Sequence, residues 1–251
     1  MAVTFCLRLA AGLILMLPIL NSANIPPRFY RVHFLTALGL VAVAGILFTE
    51  KATLAFWVIY AAAMLACVIG SIVWHLDAAP GGLLTVIVTP IALTACLIYG
   101  GMLQRSEVNS DAPLRIVDDL AAGLVLGSAT TAMLMGHSYL IAPAMTIAPL
   151  MRLLAALAGS VILRIGLACF GLWEWTSSQS TSNLETELLL WLPVRWGLGL
   201  IAPLILGWMA WETARIRSTQ SATGILYVVV IVSFLGELMS QLLMEKTGFI
   251  L

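Results

Sequence analysis

Eight long apolar stretches constrain this chain more than any other feature of its sequence. A helix that crosses a lipid bilayer needs roughly 20 mostly apolar residues. Stretches of this length follow one another with only short polar or Pro/Gly-containing segments between them. We place them at about 3–21, 28–48, 52–75, 82–103, 114–140, 148–173, 186–212 and 220–246. The sequence therefore predicts an all-α, polytopic membrane protein, a bundle of about eight transmembrane helices.

The composition excludes the common alternatives to a membrane protein. Apolar residues make up 61% of the chain and charged residues 10%, with 12 basic and 12 acidic side chains. Soluble domains carry about 25% charged residues, and a nucleic-acid-binding surface needs an excess of positive charge. The spans leave no residues for a soluble domain. We therefore expect residues 1–251 to form a single integral-membrane domain with the lipid bilayer as its partner and no nucleic acid. The expected location is a bacterial inner membrane.

The first span allows a second interpretation. Arg8, an apolar run and Asn21-Ser22-Ala23 together resemble the pattern of a cleaved signal peptide. We expect the span to be retained, because further spans follow and the cleavage site is poor.

The distribution of intramembrane charge predicts which helices form the polar centre. Most such charges belong to spans five to eight, so we expect this half of the chain to build the centre. Spans one, three and four are expected to face mostly lipid or a partner subunit. Small residues are expected to let helices approach closely, and these are Gly123, Gly127, Gly159, Gly197 and Gly199.

The histidines are predicted to share one membrane face. If side A is the face that holds the N-terminus, then His33, His75 and His137 all fall near the opposite face, side B. A histidine beside an acid, an Arg or a Tyr could bind and deprotonate a quinol, because imidazole titrates near neutral pH. The candidate quinone-binding residues are His137, Tyr139, Arg152, Glu212, His33 and Arg31. Interfacial polar residues at helix ends are one alternative, and ligation of a b-type haem by His33 and His137 is another. No histidine spacing indicates a metal site.

A second group of charges is predicted to lie deeper, reached from side A. Arg164, Arg195 and Glu237 each lie about nine residues inside a span, or roughly 14 Å by helix rise. Asp118 and Asp119 enter the fifth span from the same side. These five residues could form a proton relay or a structural ion network that fixes helix packing. The sequence leaves both interpretations open.

The last two spans carry a family resemblance. The final span reads Gly224-Ile225-Leu226-Tyr227 through Phe234-Leu235-Gly236-Glu237-Leu238, and the seventh contains Pro193-x-Arg195 and Pro203. With eight helices and short loops, this resembles the quinone-reactive membrane anchors of molybdopterin oxidoreductases, of the dimethyl sulfoxide reductase and polysulfide reductase type. Those anchors commonly carry Arg near the end of the last helix, where this chain has Ser240-Gln241. The resemblance implies an anchor that passes electrons between quinone and a partner's cofactor, without haem of its own.

These features together predict a membrane subunit of a respiratory electron-transfer complex. Such a subunit would anchor redox partner subunits, exchange electrons and protons with the quinone pool, and not be catalytic alone. One alternative is a proton-coupled small-molecule transporter, in which Arg164 and Arg195 bind an anion and Glu237 couples to protons. Another is a purely structural or assembly subunit.

Overall fold

The computed structural model describes residues 1–20, 25–48, 52–76, 80–103, 112–142, 145–178 and 186–250. Within this part every regular element is helical, which confirms the predicted all-α fold. The elements are α1 (Ala2–Leu15), a 3₁₀ turn (Leu17–Ile19), α2 (Pro27–Leu47), α3 (Leu54–Val73), α4 (Gly82–Leu103), α5 (Ala112–Ile141), α6 (Ala148–Ser178), α7 (Thr186–Trp196), a π-turn (Gly197–Ile201), α8 (Ala202–Arg215) and α9 (Thr219–Thr247).

The eight predicted spans are present in the described part of the chain. Eight helical segments there are long and apolar enough to cross a membrane, and the seventh joins α7, the π-turn and α8 over Leu190–Arg215. The predicted end of the first span, residue 21, lies outside the described residues. The chain is therefore an integral membrane protein by the length and composition of its helices.

The spans pack as two rings of four consecutive helices. In the first ring α1 packs on α2, α2 on α3, α3 on α4, and α4 returns to α1. In the second ring α5 packs on α6, α6 on α8, α8 on α9, and α9 returns to α5. The rings meet where α1 and α4 contact α5. The two halves therefore repeat one connectivity, although the sequence shows no convincing internal repeat.

Glycines permit the closest approach between the two rings. A Cβ atom on Gly12 of α1 would overlap the backbone of Gly123 on α5, and one on Gly127 would overlap the backbone of Gly12. The expectation of close packing at Gly123 and Gly127 is thus met. Gly159 and Gly197 have nothing within 4 Å of the position a Cβ would occupy, so the same expectation is wrong for these two. Close approach of this kind gives membrane helices their packing energy, since lipid offers no hydrophobic driving force between them.

The expected position of the first span is wrong. We expect spans one, three and four to face mostly lipid or a partner subunit, but 61% of the most apolar window in the first span is buried inside the chain, against 28% and 39% for the third and fourth. The reason is the contact of α1 with α2, α4 and α5, which places this helix at the centre of the molecule. The polar centre therefore draws on both halves of the chain.

The seventh span is interrupted near its middle. The π-turn lies between Pro193 and Pro203, whereas Pro90 sits inside an unbroken α4. π-Turns within helices are rare and occur often at functional sites. Gly199 in this turn lies against Gly236 of α9, since a Cβ on Gly236 would overlap the Gly199 backbone. The interruption thus coincides with a close crossing of the seventh and eighth spans.

The crossing of α1 and α5 gives a prediction about stability. Gly12→Val is expected to destabilise the fold by about 1–3 kcal/mol or more, because overpacking forces the backbones apart. Thermal unfolding of the purified protein in detergent measures the loss. Gly159→Val is the matched control, since its side chain would point into open space. Equal stability of the two variants would contradict the packing at this crossing.

Candidate functional site

A buried ion network lies where the two rings meet. We use this name for six residues of the described part of the chain: Arg8, Asp118, Asp119, Arg164, Arg195 and Glu237. All six side chains are at most 5% exposed. Arg8 comes from α1 in the first ring, and the other five residues come from α5, α6, α7 and α9 in the second half of the chain. The network therefore connects the two rings.

Arg8 is the contribution of the first ring. Its Nε and Nη2 atoms donate to Asp119 Oδ1 at 3.0 and 2.5 Å, and Nη2 also donates to Asp118 Oδ2 at 3.1 Å. Its Nη1 atom donates to Glu237 Oε1. One guanidinium therefore contacts three carboxylates on two helices, which its fork of five N–H donors makes feasible.

Arg164 of α6 approaches the same carboxylates from the other side. Its Nη1 atom donates to Asp118 Oδ1 and, at 3.2 Å, to the Asp118 backbone carbonyl. Its Nη2 atom donates to Glu237 Oε2 at 3.2 Å and to Ser240 Oγ at 3.0 Å. Asp118 and Glu237 are therefore each held between two arginines, and Gln241 Nε2 donates a further bond to Glu237 Oε1 at 3.1 Å.

Arg195 completes the network beside the π-turn. Its guanidinium is buried, and its charge interacts with that of Glu237. The side chain lies along Gly199, where a Cβ would overlap Arg195 Nη1. The turn that interrupts the seventh span thus gives this arginine room against α9.

The network is neutral as a whole. Within the described residues it holds three arginines and three carboxylates, so its formal charges cancel. The second ring alone contributes three carboxylates and two arginines and would retain one negative charge. Burying an uncompensated charge costs several kcal/mol. Arg8 is therefore the residue that makes the association of the two rings electrostatically neutral.

The network and the glycine crossings occupy the same positions along the helices. Gly12 follows Arg8 by one helical turn, Gly123 follows Asp119 by the same interval, and Gly199 follows Arg195 likewise. Residues four apart lie on one face of a helix. Each close backbone approach thus lies directly beside an ion-network side chain, and the two features stabilise the same contacts.

The predicted deep residues occur together, and Arg8 joins them as a member that the sequence does not predict. Asp118, Asp119, Arg164, Arg195 and Glu237 all lie in the network, and whether they relay protons stays a prediction. From the sequence, Arg8 is considered only as part of a signal-peptide pattern, and not as a member of this group. An arginine seven residues into an apolar helix was the available signal, because intramembrane charges usually face a bundle interior.

The predicted quinone residues near side B are not joined to each other. Among the described residues, no hydrogen bond or ion pair connects any two of the six. His137 and Arg152 are exposed, and Glu212 pairs with its neighbour Arg215 at 3.3 Å. Tyr139 is buried and donates to the Thr146 carbonyl at 2.5 Å, which connects the end of α5 to the segment before α6. These four side chains therefore do not form one hydrogen-bonded group.

The other two predicted residues lie on α2. Arg31 is half-buried, and His33 is fully buried with its Nδ1 atom 2.8 Å from the Phe29 carbonyl oxygen. His33 and His137 belong to different rings, and haem ligation by this pair stays a prediction. No group of three or more His, Cys, Asp or Glu side chains in the described part could hold a metal ion.

Comparison of the chain with protein-family models, curated proteins and solved structures finds no match. The fold and the site therefore define a class, a polytopic α-helical membrane protein whose two four-helix rings share a buried ion network.

The charge balance of the network gives a prediction about Arg8. Arg8→Met leaves the second ring with an uncompensated buried negative charge, and we expect a loss of about 3–5 kcal/mol in unfolding free energy. Adding Asp119→Asn restores neutrality, so the double variant should recover part of this loss. Unfolding in detergent micelles, analysed as a double-mutant cycle, measures the interaction energy.

Arg215→Met is the matched control for Arg8→Met. Arg215 pairs with Glu212 at the surface with its side chain 63% exposed, and such pairs contribute about 0–1 kcal/mol. Additive effects of Arg8→Met and Asp119→Asn would contradict the direct pairing of these two residues.

Proposed function

We propose that this chain is the membrane-embedded subunit of a respiratory electron-transfer complex, which anchors a redox partner and exchanges electrons and protons with the quinone pool. The observation that carries the anchoring role is the self-neutralising ion network. A network whose charges cancel holds several spans in one arrangement without any reaction. A fixed arrangement suits a subunit on which partner proteins assemble.

The resemblance of the last two spans to the anchors of molybdopterin oxidoreductases supports the redox part of the proposal. Glu237, which belongs to the Gly-Glu-Leu sequence of that resemblance, lies at the centre of the ion network. In such a subunit the cofactors that accept electrons belong to the partner. This chain would supply the helix bundle and a binding site for quinone.

A proton-coupled transporter is the second candidate, and the π-turn in the seventh span favours it. π-Turns often occur at functional sites, and many transporter folds are built from structural repeats. Here a π-turn adjoins Arg195 and packs on α9 next to Glu237. The repeated four-helix connectivity agrees with the same idea.

Purification of the tagged chain from its native membrane tests the first candidate against the second. An anchor is expected to bring redox partner subunits with it and to support quinol-dependent electron transfer. A chain that purifies alone and catalyses solute uptake in liposomes would contradict the anchoring proposal.

Glu237→Gln sharpens the comparison between these two functions. For an anchor, we expect less assembled complex, because Arg8 and Arg164 lose a shared carboxylate, but unchanged turnover per assembled complex. For a transporter, the protein that remains folded should lose proton-coupled uptake. Quantifying complex by gel filtration and activity per complex separates the two outcomes. Glu245→Gln, which alters an exposed carboxylate near the end of α9, is the control and should change neither quantity.

A further inference from the structure

Two buried polar atoms lie on one face of α2 without a partner among the described residues. They are Tyr30 Oη and His33 Nε2, and their residues are 1% and 0% exposed. Residues three apart lie on the same side of a helix. Buried polar groups in folded proteins almost always have a hydrogen-bond partner, whether protein, ordered water or ligand. The pair therefore indicates a position where another molecule supplies hydrogen bonds.

The hydrogen bond at Nδ1 fixes what His33 can accept. The Phe29 carbonyl oxygen, 2.8 Å from Nδ1, can only accept, so Nδ1 carries the proton. In the neutral imidazole Nε2 is then an acceptor and needs a donor. The Tyr30 hydroxyl can donate as well as accept. A hydroxyl group is a suitable partner for either atom, because it can donate to Nε2 and can accept from Oη.

Aromatic rings fix the surroundings of this pair. The Tyr30 ring stacks on Trp74, with centroids 4.1 Å apart and planes inclined by 13°. Trp74 in turn donates from Nε1 to Thr85 Oγ1 at 3.1 Å, which connects it to α4. The Phe29 ring lies 4.4 Å from the His33 ring. The two polar atoms thus have largely aromatic surroundings, built from three spans of the first ring.

We propose that His33 and Tyr30 bind the hydroxyl group of a quinol. A quinol carries a hydroxyl on an aromatic ring and dissolves in the bilayer, and it can donate to His33 where the oxidised quinone cannot. His33 lies six residues after Pro27, about 9 Å along the helix, so the headgroup would bind near one membrane face. This inference deepens the proposed function, because it assigns the quinol to a site within this chain.

Binding of a short-chain ubiquinol analogue to the purified full chain in nanodiscs tests the proposal. Anaerobic titration calorimetry should give at least tenfold tighter binding of the quinol than of its quinone, the loss expected for one hydrogen bond. His33→Ala and Tyr30→Phe should each weaken quinol binding about tenfold. Tyr30→Phe removes only an oxygen and keeps the stack on Trp74, so it separates binding from folding. Tyr227→Phe, at an exposed tyrosine, is the matched control.

A spectroscopic measurement distinguishes a quinol from an ordered water. In ¹⁵N-histidine-labelled protein, quinol should shift the resonance of His33 Nε2. A resonance that exchanges with water and ignores quinol would overturn the proposal, as would equal quinol binding by the wild type and both variants. Quinol binding by a chain that purifies without redox partners would contradict the anchoring function alone. A partnered complex whose chain binds no quinol would overturn this site alone.

Discussion

The contact of one guanidinium with three carboxylates governs the architecture of this protein. Arg8 enters from the first ring and meets Asp118, Asp119 and Glu237 of the second. Without it the second ring would retain a buried negative charge, which a low-dielectric interior does not tolerate. The formal charges of the network cancel only when Arg8 is included, so packing of the two rings also balances its charge.

Close packing of the helix backbones makes these ion pairs possible. An arginine can reach carboxylates on neighbouring helices only if those helices approach closely, and Gly12, Gly123 and Gly127 permit this at the crossing of α1 and α5. Around the seventh span, Gly199 and Gly236 do the same beside Arg195. Ion pairing and glycine packing depend on each other here. Without the glycines a gap would separate the helices, and without the ion pairs the close helices would bury an unpaired charge.

The sequence predicted the helices well, because the length of an apolar stretch is a local property. It predicted the depth of Arg164, Arg195 and Glu237 for the same reason, since depth follows from counting residues. It could not predict that Arg8 joins them, because this depends on which helices pack together. The orphaned Nε2 of His33 was equally beyond prediction, since it depends on what surrounds the ring. Gly159 and Gly12 look alike in sequence, and only packing distinguishes them.

Solid-state NMR of the protein in bilayers, with ¹⁵N in arginine guanidinium groups and ¹³C in aspartate carboxyl groups, tests the ion network most directly. Close guanidinium–carboxyl contacts are expected in the wild type. Arg8→Met should remove the contacts to Asp119 while that of Arg164 with Asp118 persists in the protein that stays folded. Identical contacts in the wild type and in Arg8→Met would show that Arg8 lies outside the network and would contradict its role in joining the two rings.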